Sequence, residues 1–279
     1  MPAWQPEDKF IKVGNINTRY WAPGDKGSAV VLVHGLGGFI ENWVYNANAL
    51  AQQHRVFAMD LVGFGRSDKT PLTHDTNVLV KFISDFMKTM NIEKASLVGN
   101  SLGGGLVLQF ALNYPEKVEK LVLADNAGMG RDVISDFKLC SIPILGELLT
   151  RPSLKGTARL WKEIVYDAAL ITPELVNLAY GMINQTGAKK ALLAALRVGI
   201  NLGGQRVKLI NPLLNRLNTI TAPTLVVWGR QDHIIPVAHA QVAIDKIRGA
   251  RLGIFDHCGH MPQLEHPDRF NKLVLDFLA

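Results

Sequence analysis

The chain has few cysteines, no long apolar run and a modest share of charged residues. Cys140 and Cys258 are its only cysteines among 279 residues, and two cysteines do not build a disulfide framework, so we expect a reducing, cytoplasmic location. No apolar run approaches the ~20 residues that span a bilayer. Residues 1–8 have neither the basic nor the apolar region of a signal peptide. We therefore expect no stable membrane insertion.

Positive charge is concentrated in one part of the chain. Residues 131–216 contain 12 Lys or Arg against 6 Asp or Glu, whereas the remaining residues contain 18 of each. Such a segment could attract anionic substrates or a membrane surface, but a solvated helical surface explains it equally well, and we favour that interpretation. No basic run interleaves with aromatic residues, so nucleic acid is not an expected partner. The sequence leaves a homo-oligomer open.

Short apolar runs alternate with helical patterns, which is typical of a parallel sheet flanked by helices. Eight runs predict strands, at residues 10–13, 16–21, 29–34, 55–60, 95–99, 118–124, 224–228 and 251–255. The alternation stops between residues 128 and 216, where we find only helical patterns, as at 156–166, 173–183 and 188–200. We predict an α/β fold with a mostly parallel eight-stranded sheet. Its core would comprise residues 1–127 and 217–279, interrupted by a helical cap at 128–216.

A candidate nucleophile lies where the fifth predicted strand meets a helix. There the sequence GNSLG places Ser101 between Gly99 and Gly103. A serine on such a sharp turn needs glycines two residues to either side, because larger side chains would clash. The turn aims the hydroxyl at the carboxyl end of the sheet, where the N-terminus of the following helix favours negative charge. The pattern indicates a catalytic serine rather than a structural glycine turn.

Serine is a weak nucleophile without a base, and the base needs an orienting carboxylate. His260 follows the last predicted strand, which is the position of the base in the chain order Ser, Asp, His. Asp232 follows the strand at 224–228 and is the expected acid. Asp125, just after the strand at 118–124, is an alternative acid. If it is not catalytic, we expect it to cap the loop that follows this strand.

The sequence HGLGG after the third predicted strand is a candidate oxyanion loop. Acyl transfer needs N–H donors fixed around the developing oxyanion, and glycines let a backbone approach the substrate closely. By position, the N–H groups of Leu36 and Leu102 would form the hole. The turn at residues 60–67 is interpreted as a structural support of the serine turn.

Together these residues resemble the α/β-hydrolase superfamily. The matching stretches are, in chain order, HGLGG, DLVGFGRSD, GNSLGG, GRQDHIIP and GHMPQLEHP. The chain is similar to capped serine carboxylesterases and to meta-cleavage-product hydrolases, which cleave C–C bonds in vinylogous 1,5-diketones. Asn100, the stretch at 166–174 and the sequence EHP at 265–267 are similar to the C–C hydrolases. The resemblance implies no metal and no organic cofactor.

Two positions depart from the C–C hydrolases. That family usually has a tryptophan after the catalytic histidine, where this chain has Met261, and an arginine in the cap that helps to hold and polarise the dienone. An ungapped alignment places Ala179 at the arginine position. These departures favour a carboxylesterase acting on a small-molecule ester. C–C hydrolysis is the alternative, and a receptor without turnover is a third.

Several further residues are expected to line the substrate pocket. Because they lie beside the proposed oxyanion loop or the catalytic residues, we predict contacts from the following set: Gly35, Phe39, Asn42, Trp43, Asn100 and Met261. Apolar cap residues could also line it or pack the cap onto the core, namely Ile142, Ile144, Leu145, Leu148, Leu149 and Trp161.

Overall fold

An eight-stranded sheet lies at the centre of the computed structural model, which describes residues 5–70 and 75–279. The described residues form ten strands: β1 (Lys9–Val13), β2 (Ile16–Trp21), β3 (Ala29–Val33), β4 (Arg55–Met59), β5 (Ala95–Asn100), β6 (Val118–Ala124), β7 (Ile200–Asn201), β8 (Gly204–Gln205), β9 (Thr224–Gly229) and β10 (Arg251–Phe255). All except β7 and β8, which pair with each other, belong to this sheet. The sheet order is β1-β2-β4-β3-β5-β6-β9-β10. The pairs β1–β2 and β2–β4 are antiparallel, and all other neighbours in this sheet are parallel. The predicted mostly parallel eight-stranded sheet is confirmed.

Helices cover both faces of this sheet. The described α-helices, including those of the segment inserted between β6 and β9, are α1 (Ala47–Ala51), α2 (Thr76–Thr89), α3 (Leu102–Asn113), α4 (Ser135–Cys140), α5 (Leu145–Leu149), α6 (Leu154–Ile164), α7 (Pro173–Ile183), α8 (Ala188–Gly199), α9 (Val207–Leu214), α10 (Ala238–Lys246), α11 (Pro262–Glu265) and α12 (Pro267–Leu278). Short 3-10 helices occur at Ile40–Trp43, Pro115–Lys117, Ala168–Leu170 and Leu217–Thr219. Across the described ranges no helix is both long and apolar enough to cross a bilayer. Residues 1–4, part of the segment on which the signal-peptide prediction rests, lie outside the described residues.

The central strands are apolar because both of their faces are covered. Every residue of β3, β5 and β9 is buried, as expected for parallel strands between two helical layers. Apolar residues of α2, α3 and α10 pack on one face, and those of α1 and α12 pack on the other. Because these strands run parallel, their carboxyl ends meet at one edge of the sheet, which is where α/β proteins bind ligands.

The segment between β6 and β9 contains α4 to α9 and one small strand pair. The expectation that residues 128–216 have no strand is wrong in this detail, because β7 and β8 pair antiparallel, with Ile200 opposite Gln205 and Asn201 opposite Gly204. Strands of two residues are too short to leave an alternating pattern. We call residues 128–216 the cap, and its status as a separate domain stays a prediction.

Candidate active site

Ser101 lies on a strained turn between β5 and α3. Its φ of 57° and ψ of −122° are unusual for a residue with a side chain. The turn is fixed on both sides, because Ser101 N donates to Ala124 O at 3.0 Å and Ser101 O accepts from Ala127 N at 3.0 Å. A Cβ on Gly99 or Gly103 would overlap neighbouring backbone atoms. The structure thus holds the hydroxyl of Ser101 at the start of a 12-residue helix.

The HGLGG loop lies directly over Ser101. A Cβ on Gly35 would lie 2.9 Å from Ser101 Cβ and 3.4 Å from its Oγ, so only glycine fits. Leu36 follows Gly35 in this loop, and Leu102 is the first residue of α3, whose N–H has no intrahelical partner. Both predicted oxyanion donors therefore belong to segments that adjoin the Ser101 side chain.

His34 and Asp60 hold this loop and the residues that follow it by hydrogen bonds. His34 Nδ1 donates to Gly35 O at 2.8 Å, and its Nε2 accepts from Leu61 N at 3.0 Å, a pattern that requires a neutral ring with its proton on Nδ1. Burial lowers the pKa of His34 to about 4. Asp60 Oδ1 accepts from Ile40 N at 2.8 Å. The turn at 60–67, interpreted as a support of the serine turn, directly supports the oxyanion loop.

The structure brings His260 and Asp232 into direct contact. His260 Nδ1 lies 2.7 Å from Asp232 Oδ2, and both side chains are buried. Asp232 Oδ1 accepts from Ile234 N at 2.7 Å and from Ile235 N at 3.1 Å. His260 Nε2 is buried and has no hydrogen-bond partner in the described part of the chain. The ring is thus oriented from its Nδ1 side, and its Nε2 is available to take a proton.

Asp125 lies beside this pair. It is fully buried, and a potential ligand atom from each of Asp125, Asp232 and His260 lies within 4.8 Å of the others. These residue types also bind metals, but both oxygens of Asp232 and Nδ1 of His260 already have partners within the protein. We interpret the cluster as a proton-transfer group and not as a metal site.

Glu265 holds the His260 loop and was missed by sequence reasoning. Its carboxylate accepts from Gly259 N at 3.0 Å, from Met261 N at 3.1 Å and from Tyr166 N, in the cap, at 2.6 Å. His260 N also donates to a cap oxygen, Ile164 O, at 2.8 Å. The cap backbone is therefore bonded to the histidine loop directly and through one buried carboxylate. The sequence EHP at 265–267 is similar to the C–C hydrolases, but it does not by itself predict this role.

Phe39 and Met261 lie at the contact between the core and the cap. Both are buried in one apolar cluster with Trp161 of α6, and the rings of Phe39 and Trp161 are 6.0 Å apart. Met261 follows His260, so this cluster adjoins the site. For Phe39, Met261 and Gly35, substrate contact stays a prediction.

Trp43 belongs to a different apolar cluster from Phe39, and its contact with substrate stays a prediction. The residue is fully buried in the core on the α1 and α12 face, where its ring is 6.3 Å from that of Phe270. The 3-10 helix at Ile40–Trp43 directs consecutive residues to different sides, a geometry that sequence spacing did not indicate.

The two predicted amide side chains differ in their contacts. Asn100 Nδ2 donates to His260 O at 3.0 Å and to Ala124 O at 3.3 Å, so this donor supports the histidine loop. Asn42 Oδ1 accepts from Phe39 N at 2.9 Å, while its Nδ2 is buried and has no acceptor among residues 5–70 and 75–279. A substrate contact stays a prediction for both residues.

The apolar cap residues also differ. Ile144, Leu148 and Leu149 are exposed to 76%, 51% and 55%, so these three do not pack the cap onto the core, and their contact with substrate stays a prediction. Ile142 and Leu145 are half-buried. Ala179 in α7 is buried in the same cluster as Trp161 and Met261. An apolar wall therefore occupies the position where the C–C hydrolases are expected to have a cation.

Known proteins match this chain along most of its length. The profile of a family described as alpha/beta hydrolase fold matches residues 28–171 and 180–267. A 2-hydroxy-6-oxo-6-phenylhexa-2,4-dienoate hydrolase of Burkholderia cepacia is 34% identical over 261 residues, which cover 91% of this chain and 88% of that protein. A 2-hydroxy-6-oxo-6-(2'-aminophenyl)hexa-2,4-dienoic acid hydrolase of Metapseudomonas resinovorans is 33% identical, over 98% of this chain and 91% of the relative.

Solved structures agree with these relatives. The meta-cleavage product hydrolase of Pseudomonas fluorescens IP01 superposes with a TM-score of 0.83 at 31% identity, covering 96% of both chains. The resemblance predicted from the five sequence motifs is confirmed.

Proposed function

The chain belongs to the α/β-hydrolase fold family and is a hydrolase, and from this premise we propose that it cleaves the C–C bond of meta-cleavage products. These substrates are vinylogous 1,5-diketones. The observation that carries the proposal is the similarity, over about nine-tenths of the chain or more, to relatives named as dienoate hydrolases. It reverses the preference for esters that the sequence alone suggested.

In this proposal Ser101 is the nucleophile, with His260 as base and Asp232 as the acid that orients it. Ser101 Oγ forms a bond to the ketone carbon, and its proton passes to His260 Nε2. Asp232 holds the imidazole tautomer and stabilises the imidazolium. The N–H groups of Leu36 and Leu102 receive the oxyanion.

The second half of the reaction breaks the bond between the carbonyl carbon and its neighbour. This step requires that the dienol has first tautomerised to the diketone, with its hydroxyl proton moving to the carbon next to the reacting carbonyl. The electron pair of the broken bond then passes through the remaining C=C bond onto the oxygen of the second ketone, and the proton on His260 passes to that oxygen. Water, activated by His260, then releases the acyl group from Ser101. The oxygen of this leaving group needs a hydrogen-bond donor, and the Nδ2 of Asn42, which is buried and has no acceptor among the described residues, supports such a role.

Ester hydrolysis is the second candidate, and the residues at two positions favour it. Ala179 and Met261 stand where the C–C hydrolases are expected to have arginine and tryptophan, and both are buried in an apolar cluster. An ester has less need of arginine or tryptophan at these positions, because its leaving group is an oxygen that accepts a proton readily.

The experiment compares two substrates that deliver the same acyl group to Ser101. 2-Hydroxy-6-oxo-6-phenylhexa-2,4-dienoate and p-nitrophenyl benzoate both give a benzoyl enzyme, so any difference in kcat/KM reports the leaving group. The proposal predicts the larger kcat/KM for the dienoate. A larger value for the ester makes the chain an esterase, and Ser101→Ala should abolish both reactions.

A variant pair at position 179 tests the basis of this choice. Ala179→Arg should raise the ratio of dienoate to ester turnover, because it restores a cation to the cap wall. Ala179→Met is the matched control, since it adds a side chain of comparable reach without charge. An equal change of the ratio in both variants would show that bulk, and not charge, is responsible.

A further inference from the structure

Asp125 occupies a constrained position at the end of β6. Its φ of 44° is positive, which is uncommon for a residue other than glycine. Its N–H donates to Val227 O at 3.0 Å, and its Oδ1 accepts from Gly229 N at 2.9 Å. These bonds tie it to β9, the strand that leads to Asp232. The other oxygen, Oδ2, is buried and has no partner within the described residues.

The surroundings of Asp125 contain acids but little compensating charge. The charged groups that act on it are Asp232, from the loop after β9, and Glu265, from α11. His260 and the thiol of Cys258, from the loop after β10, are the neighbouring titratable groups. Burial, and then the charge of Asp232, raise the pKa of Asp125 well above its ordinary value.

Donor counts decide which of the two acids is ionised. Asp232 receives three hydrogen bonds, from Ile234 N, Ile235 N and His260 Nδ1. From the residues that the structure describes, Asp125 receives one, from Gly229 N. Two adjacent buried carboxyl groups cannot both be ionised at low cost, and they can hydrogen-bond only when one carries a proton. The proton therefore belongs to Asp125.

We propose that Asp125 is a positioning residue of the catalytic triad: it stays protonated near neutral pH and donates its Oδ2–H to the carboxylate of Asp232. The two carboxyl groups then carry one negative charge between them. The hydrogen bond draws charge from Asp232 and so limits how strongly that residue stabilises a protonated His260. Asp125 acts through Asp232 and does not touch the substrate.

The test assumes one part of the proposed function, namely that His260 activates Ser101. An alkyl fluorophosphonate serves as the probe, because Ser101 Oγ bonds to phosphorus, fluoride leaves and the serine proton passes to His260. The rate of labelling is measured by mass spectrometry from acidic to alkaline pH. The proteins are wild type, Asp125→Asn, Asp125→Ala and Asp232→Asn.

The conservative variant should rescue what the truncation loses. An asparagine can still donate to Asp232 and accept from Gly229, so Asp125→Asn should keep the wild-type pH midpoint of labelling. Asp125→Ala removes the donor, and its midpoint should move up by about 0.5 to 1 pH unit. Asp232→Asn should label about 10⁴-fold more slowly than wild type.

Three outcomes would overturn the proposal. Labelling of Asp125→Asn that is as slow as that of Asp232→Asn makes Asp125 an ionised catalytic acid. A midpoint in Asp125→Ala equal to that of wild type leaves Asp125 only a structural role. Infrared spectra at neutral pH should show a protonated-carboxyl band in wild type that Asp125→Asn lacks. The third refuting outcome is a wild-type spectrum without this band.

The infrared comparison does not depend on folding of Asp125→Ala or on catalysis. If the probe leaves Ser101 of the wild type unlabelled, the proposed function fails, while the infrared spectra still decide the protonation of Asp125.

Discussion

The carboxylate of Glu265 should be essential for stability and for placing His260. Glu265→Gln replaces one acceptor oxygen by an NH₂ group, although three backbone N–H groups point at this side chain. At least one of these donors then loses its acceptor in a buried site. Hydrogen bonds to charged groups contribute about 1.5–3 kcal/mol, and a buried unsatisfied donor costs about 1–3 kcal/mol. We expect a loss of about 2–4 kcal/mol in the free energy of unfolding.

Urea denaturation at neutral pH measures this loss. Glu163→Gln is the matched control, because Glu163 makes an ion pair with the exposed side chain of Arg159, and solvent screens such a surface pair so that it contributes little to stability. Glu265→Gln should also lower kcat/KM, because Gly259 and Met261 flank the catalytic histidine. If Glu265→Gln is no less stable than the control variant, the carboxylate does not hold this loop.

Three further predictions concern the loop over Ser101 and its turn. Because burial lowers the pKa of His34 from 6.5 to about 4, the contribution of this residue to stability is complete above pH 6.5 and is lost as the pH falls towards 4. In urea unfolding, wild type should therefore lose about 2 kcal/mol between about pH 7 and pH 5, relative to His34→Asn. Gly35→Ala should lower kcat/KM by about 10²-fold or more, because the methyl group meets Ser101. Ser101→Gly should be about 1 kcal/mol more stable than Ser101→Ala, because glycine relieves the positive φ.

Each of these predictions has a contradicting result. An equal pH dependence in wild type and His34→Asn would show that His34 titrates normally. An active Gly35→Ala would mean that the loop does not lie against Ser101. Equal stabilities of the two Ser101 variants would remove strain as a property of the turn.

The sheet and the serine turn could be predicted because local sequence determines them. β3 reads AVVLV and is buried on both faces, so an uninterrupted apolar run was sufficient. The φ of Ser101 follows from glycines at fixed spacing, and the order of Ser101, Asp232 and His260 placed them at the carboxyl edge of one sheet. Each of these inferences needs only neighbouring residues and the rule that parallel strands share an edge.

The features that sequence reasoning missed depend on distant contacts. Glu265 acts through backbone N–H groups, one of them 99 residues away in Tyr166, and backbone donors leave no trace in side-chain patterns. Helices as short as α1 and α11 show no period. Trp43 is predicted by its place after the oxyanion loop and Ile144 by its hydrophobicity. Trp43 is fully buried in the core, whereas Ile144 is 76% exposed, because tertiary packing decides which apolar side chain finds a partner.

The central claim is that Ser101 attacks the carbonyl carbon of a C–C hydrolase substrate. The most direct measurement is rapid mixing with 2-hydroxy-6-oxo-6-phenylhexa-2,4-dienoate, acid quenching and mass spectrometry of the peptide that contains Ser101. The account predicts a transient benzoyl adduct on Ser101, with loss of both adduct and product in Ser101→Ala. Product formation by Ser101→Ala at the wild-type rate would contradict it.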